Sequence, residues 1–489
     1  MKNLIVDTCK GQVKGEDIGG ISVWKGIPYA EAPNGKRRFQ PPEPRGKWEG
    51  IYDATAFGPV SIQPENGIMG LIDQVDIEAS EDCLNLNIWS SSTEGKSRPV
   101  MVWIHGGAFI NGSGSSGIYD GTSFVEAGDV VVVTFNYRLG VLGFLHLAEM
   151  DRETYGLSGN CGLLDQIAAL QWVKENIAAF GGDPDRVTVF GESAGAMCIG
   201  AMLTMPAAEG LFQQAILQSG AASDVLTSES ATKVAIMILE KLNITRDEYD
   251  KIVDVPVEAL LEAAKDIPPM ALGPVVDGIS IQQHPEISLK QGVAKDIPIL
   301  IGTNKDEYVL FTFFDSSWDK LTEEQSARRF KKALGPAWED LREGFYEEPL
   351  NKELFEKVMS MQMFTYPAIR LAEAQASYGS PVWMYRFDWE SPVFFGGLKA
   401  CHAMELPFVW NNLAKRGMDL LLGPAPPLSV AEQMQQAWIS FAYQGDPNTR
   451  TLPKWPSYDH QGRATMHFNK ESKLMNDPDR ETRFIWQQK

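Results

Sequence analysis

The stretch Val187–Met197, "VTVFGESAGAM", sets one serine between two glycines, each two residues away. Residues of strand character precede it, and a small-residue helical run follows. A serine on a sharp strand-to-helix turn has its hydroxyl lifted clear of a sheet. The residues two before and two after it then pack so closely that a side chain at either would strike backbone. Ser193 is therefore a candidate nucleophile, with Gly191 and Gly195 as the steric condition for its turn. Glu192, inside the motif, is expected to face away from the hydroxyl as a buried, hydrogen-bonded scaffold residue.

A serine hydroxyl attacks a carbonyl only with help. Negative charge develops on the carbonyl oxygen, and preorganised N–H donors stabilise it, each contributing roughly 10²–10³ in rate. The Ala194 N–H, directly after the serine, is one expected donor. Gly106 and Gly107 in "VMVWIHGGAF" supply others, because a glycine turn after a strand lets backbone approach a substrate. The hydroxyl also needs a base and the base needs a carboxylate, in the chain order serine, acid, histidine. Of six histidines, His105 and His146 precede the serine. His284 lies in a proline-flanked loop, and His460 and His467 fall in a polar stretch expected to be solvated. His402, in "ACHAMELPFVW" after a strand-like run, is the candidate base. Asp306 and Glu307 follow a buried strand in "LIGTNKDEYVLFTFF", and spacing leaves them equal as candidate acids. Met197, Leu310, Phe311, Met361 and Met363 are apolar candidates for a pocket wall, although such residues are more often simple core.

These groups must be carried by a rigid frame. Val100–Ile104, Val131–Phe135, Val187–Phe190, Ala215–Ser219, Ile297–Ile301 and Val382–Phe387 are short apolar runs bounded by turn residues. Such runs suit strands buried on both faces. Between two of them, Leu163, Ile167, Leu170, Val173 and Ile177 recur every three or four residues. That predicts an amphipathic helix, with Asn160 as N-cap and Gly181–Gly182 as its stop. The pattern is an α/β class: a mostly parallel central sheet flanked by helices. "GGISVWKGIPYA" predicts antiparallel edge strands at the N-terminal side. The charged segments 227–270 and 320–362 predict helical insertions above the sheet. No repeat or long linker divides residues 1–489, which read as one domain.

Composition narrows the partners. Forty-four Lys and Arg against 64 Asp and Glu give a net charge of −20, which argues against nucleic acid, whose phosphates need a basic patch. The expected partner is a small molecule, and the expected state a monomer. No apolar run approaches the roughly 20 residues of a membrane span, and the N-terminus lacks a signal-peptide pattern. Five scattered cysteines, Cys9, Cys83, Cys161, Cys198 and Cys401, suggest free thiols in the reducing cytoplasm.

With "WKGIPYAEAP", "EDCLNLNIW", "NYRLGVLGFL", "NCGLLDQIAALQWVKENIAAFGGDPDRVTVFGESAGA", "GTNKDE", "CHAMELPFVW" and "WPSYD" added, the chain resembles the type B carboxylesterases, the family that also contains the cholinesterases. The resemblance spans nearly the whole chain. It implies an α/β-hydrolase fold and hydrolysis of carboxylic esters through an acyl-serine. It assigns Ser193 as nucleophile, Glu307 as acid, His402 as base, and Gly106, Gly107 and Ala194 as the oxyanion hole. It adds Ser219 as a hydrogen-bond partner of the acid, and it requires neither metal nor cofactor. Two departures, Asn85 in place of an aromatic residue and a missing proline near Ser91, bear on local packing. Tyr308 stands where relatives often have glycine, which touches the pocket wall. Secreted relatives tie the cysteine matching Cys83 into a disulfide, and here Cys83 is expected to be free. An unperturbed histidine base places the acid limb of activity near about pH 6.5.

Overall fold

The computed structural model describes residues 4–64, 77–95, 97–345 and 348–487. Its frame is an eleven-stranded sheet. In chain order the strands are β1 (Glu16–Ile18), β2 (Ile21–Pro28), β3 (Asn85–Ser90), β4 (Arg98–Ile104), β5 (Val131–Phe135) and β6 (Gly182–Glu192). β7 (Gln214–Gln218), β8 (Ile299–Asn304), β9 (Val382–Phe387), β10 (Ala464–Phe468) and β11 (Lys473–Asn476) complete it. The spatial order is β11-β10-β9-β8-β7-β6-β4-β5-β3-β2-β1. Strands β4 to β10 run parallel, while β1, β2 and β3 at one side and β11 at the other pair antiparallel. Ile5–Thr8, Gly11–Lys14 and Ile51–Asp53 form a separate small sheet.

The uninterrupted apolar runs have a geometric cause. Side chains alternate across a strand, so each parallel strand feeds two cores. Val100, Val102 and Ile104 of β4 enter one core, and Met101 and Trp103 enter the other. Helices α1 (Thr122–Gly128), α2 (Cys161–Asn176), α3 (Ala194–Met202), α4 (Val309–Thr312) and α5 (Leu428–Gln444) follow the same division. Buried residues of α2 and α3 join the first core, and those of α1 and α5 join the second. The segments 227–270 and 320–362 are helical as expected, with Ser228–Lys241, Val257–Ala264, Glu323–Leu334, Ala337–Gly344 and Lys352–Ser360.

Helix α2 differs from its expectation in two ways. It is buried almost all round, with only Gln171, Lys174 and Glu175 exposed, so it is not amphipathic. Asn160 makes no side-chain cap to it. Its amide instead donates to Val275 O, Asp277 and Ser280 and accepts Val275 N–H, which ties a distant loop to the helix start. His467 also differs. It lies on β10 and is buried, with Nδ1 2.8 Å from Asp388, whereas His460 is exposed. All five cysteines are free thiols. Ser61 Oγ stands 3.2 Å from Cys83 Sγ.

Strand register gathers the functional side chains at one edge. Ile104 of β4 lies opposite Gly191 of β6, and Glu192 opposite Gln218 of β7. Gln218 in turn lies opposite Gly302 of β8. The residues that follow these strands therefore emerge side by side at their carboxyl ends, where open α/β sheets bind ligands.

Candidate active site

Ser193 joins β6 to α3 at φ 53°, ψ −124°, a region that costs a non-glycine residue about 1–3 kcal/mol. The surroundings hold it there. Its N–H donates to Gln218 O at 2.9 Å, and its carbonyl accepts Met197 N–H at 2.9 Å. A Cβ on Gly191 would lie 2.7 Å from Ile104 O, and one on Gly195 would lie 2.0 Å from the same oxygen. Both flanking glycines are thus required by one carbonyl of β4.

His402 follows β9 and is buried. Its Nδ1 lies 2.6 Å from Glu307 Oε2. The other carboxylate oxygen of Glu307 accepts Asn304 N–H at 2.7 Å and Ser219 Oγ–H at 2.5 Å. Glu307 is fully buried and held by three partners. Asp306 turns elsewhere, its N–H donating to Ala400 O and its carboxylate facing Ala400 N–H at 3.4 Å. Of the two carboxylates that spacing leaves equal, Glu307 is the one in contact with His402. A carboxylate on Nδ1 selects the neutral tautomer that keeps its lone pair on Nε2. The ring is packed by Phe311 and Phe364, with centroids 5.2 and 4.7 Å away.

Glu192 departs from its expected orientation. It is buried, but it lines the same cavity as Ser193 and His402. Its Oε1 stands 3.1 Å from His402 Nε2 and has no aligned hydrogen-bond donor. Burial pushes the Glu192 carboxyl up to about 8, the positive His402 opposing and the carboxylates of Glu405 and Glu307 adding to the rise. For His402, burial alone would lower the pKa, but the nearby carboxylates of Glu192 and then Glu307 outweigh it and raise the ring to about 9. Glu405, buried behind the site, accepts from Asn304 Nδ2 at 2.6 Å and Gln218 Nε2 at 3.0 Å.

The cavity is about 340 Å³, within the usual range of small-molecule sites. Gly106 and Gly107 line it together with Ser193. A Cβ on Gly106 would lie 2.8 Å from Glu192 O and 3.1 Å from Ser193 Cβ, so only glycine lets the turn come this close. Ala194 opens α3, where the first N–H groups have no partner inside the helix.

Of the apolar candidates, Leu310 and Phe311 on α4 line the cavity. Met197, Met361 and Met363 do not. Met197 and Met361 are buried in the first core, and Met363 packs against it, because a helix buries apolar side chains on whichever face meets the sheet. Ser113, Ser116, Ile118 and Tyr119 line the cavity without having been singled out in the sequence. Their signal was present: "NGSGSSGIY" follows the glycine turn directly. Among the described residues, no group of three or more His, Cys, Asp or Glu could hold a metal ion, and no helix is long and apolar enough to cross a membrane.

A model of the carboxylesterase family matches residues 2–486. The para-nitrobenzyl esterase of Bacillus subtilis (strain 168) is 43% identical, over 99% of this chain and 98% of its own length. A cocaine esterase of Homo sapiens is 33% identical over 92% of this chain and 84% of its own. The crystal structure of a carboxylesterase from Geobacillus stearothermophilus superposes with a TM-score of 0.90 at 47% identity, covering 99% of this chain and all of the other.

Proposed function

Because the chain belongs to the carboxylesterase family and is a carboxylic ester hydrolase, we propose that Ser193, His402 and Glu307 carry the reaction, with Gly106, Gly107 and Ala194 as its oxyanion hole. The observation that carries this reading is the chain of contacts from Ser219 and Asn304 through Glu307 to His402 Nδ1, at the cavity that Ser193 lines. His402 Nε2 takes the Ser193 proton as Oγ attacks the ester carbonyl. The alcohol leaves with that proton. Water then attacks the acyl-serine, with His402 again as base. Glu307 orients the ring and stabilises the imidazolium that forms. Backbone N–H groups of the glycine turn and of Ala194 receive the developing oxyanion.

The substrates on this reading are small to medium esters with apolar acyl groups or aryl or benzyl alcohols. A cavity of about 340 Å³ walled by Ile118, Leu310, Phe311 and Leu406 supports that class, as does the likeness to a para-nitrobenzyl esterase. Strands drawn from residues 16 to 476 in one sheet support a single functional unit. Five free thiols support a cytoplasmic setting. The net charge of −20 supports neutral small molecules rather than nucleic acid as partners. The same reading takes the chain as a monomer, which light scattering checks.

The test is hydrolysis of para-nitrophenyl esters from acetate to laurate by the wild type and by Ser193→Ala. Turnover that collapses by roughly 10⁴-fold or more in the variant, with a short- to medium-chain optimum, is the expected result. Equal slow rates from both proteins would reject the assignment.

A further inference from the structure

The glycine turn of the site is held from outside by a side chain that does not line the cavity. Gln63 points its carboxamide at the backbone of Gly112, 49 residues away, and engages it with both ends. Oε1 accepts Gly112 N–H at 2.9 Å, and Nε2 donates to Gly112 O at 3.0 Å and to Ser61 O at 3.0 Å. Two parallel bonds to one residue fix both a position and the planes of its peptides.

Those peptides touch the turn directly. The peptide that carries Gly112 N–H also carries the Asn111 carbonyl. That carbonyl backs Gly107 (φ +108°), where a Cβ would lie only 2.2 Å from Asn111 O. Gly107 O closes the turn by accepting Ile110 N–H at 3.0 Å and Asn111 N–H at 2.9 Å. Gly112, at φ +112°, also presses on the start of the turn. A Cβ there would lie 2.3 Å from His105 Nδ1 and 2.5 Å from Gly106 O. A second brace acts at the other end, where Tyr137 Oη–H donates to His105 O at 2.8 Å. His105 O belongs to the peptide that supplies Gly106 N–H. Each of the two oxyanion donors of the turn therefore has a peptide plane fixed next to it by a distant side chain.

We propose that Gln63 is a positioning residue for ester hydrolysis, aligning the Gly106 and Gly107 N–H donors on the oxyanion by fixing the Asn111–Gly112 peptide. The proposal rests on reading this turn as the oxyanion hole. Gln63 touches no substrate and acts through Gly112. Donors displaced by a fraction of an ångström lose transition-state stabilisation while ground-state binding persists. The signature is a loss in kcat with KM nearly unchanged.

The experiment compares wild type, Gln63→Leu and Gln63→Glu with para-nitrophenyl butyrate and with a trifluoromethyl ketone that adds to the serine as an oxyanion. Active sites are counted by titration with an organophosphate. In Gln63→Leu we expect kcat per titrated site to fall roughly tenfold to a hundredfold, KM to stay within about threefold, and the ketone Ki to rise by the factor lost in kcat/KM. Gln63→Glu keeps an acceptor for Gly112 N–H but loses the donor, and falls between the two. Unchanged kcat and Ki in Gln63→Leu overturn the proposal. So does a fall in titratable sites and thermal midpoint with kcat per site intact, which marks a merely structural role. A wild type that binds the trifluoromethyl ketone no better than the matching methyl ketone overturns the oxyanion reading itself, and the role of Gln63 with it.

Discussion

The two sides of the cavity are built by different means. The side that carries Ser193 and the glycine turn is backbone pressed on backbone. Gly191 and Gly195 crowd Ile104 O, and Gly107 crowds Asn111 O, each closer than any Cβ could be. The side that carries Leu310 and Phe311 is made of side chains on a four-residue helix, α4. Phe311 is 52% exposed even as it stacks on Phe364, and Phe314 and Phe394, both packed on Phe313, are exposed further. The first side leaves no room for a side chain at Gly191, Gly195 or Gly107, so substitution there is met by backbone. The second can exchange one side chain for another and keep the fold. On the proposed function, chemistry falls to the first side and substrate choice to the second.

This contrast can be broken at several points, from the largest effect to the smallest. Glu307→Gln removes the charge that fixes the His402 tautomer, and kcat should fall about 10³–10⁴-fold while Asp306→Asn stays near wild type. Comparable losses in both would undo the geometric choice between them. Gly195→Ala drives a Cβ into Ile104 O and should destabilise the protein by about 3 kcal/mol or more. An unchanged thermal midpoint in that variant would show that the backbone side has slack. Phe311→Ala should leave the midpoint nearly intact and shift the ratio of kcat/KM for octanoate over acetate esters by roughly tenfold. If it instead lowers kcat equally for every ester, Phe311 serves His402 and not selection.

The smallest effect concerns pH. As the proposed base, His402 works only when neutral, and the carboxylates of Glu192 and Glu307 favour its charged form. The acid limb of kcat/KM should therefore lie above the ordinary histidine value of about 6.5. This differs from the sequence expectation, which took the ring as unperturbed. Activity is lost as pH falls through the raised value. Glu192→Gln removes the first of the two carboxylates and should move the limb down by about one unit. A limb that stays in place would mean that Glu192 is already uncharged when the enzyme works.

Much of this was legible in the chain because steric rules leave traces in residue type. Gly191, Ser193 and Gly195 announce the turn, and the apolar runs of β4 to β9 announce a sheet covered on both faces. What was not legible depends on where a residue ends up rather than on what it is. Met197 and Leu310 are equally apolar, yet only the latter reaches the cavity. The turn's geometry was expected to face Glu192 away from the hydroxyl, but that backbone constrains the serine and leaves the neighbouring side chain free to reach His402. His467 lies in a polar stretch, yet it falls on an inner strand whose neighbour supplies Asp388. Asn160 has the type of a cap, but a loop more than a hundred residues away offers its amide better partners.

The antiparallel strands at the two ends of the sheet have a consequence for crowded solutions. An open sheet invites a further strand from a second copy wherever a long edge leaves its N–H and C=O groups unpaired. Here one edge is β1, three residues that begin Glu-Asp, and the other is β11, four residues led by a lysine. Each template is too short to nucleate a lengthening stack, and each brings charge to the contact. Together with a mutual repulsion set by twenty excess negative charges, the edges give a molecule that can be made abundant in a cell without its sheets zipping into one another.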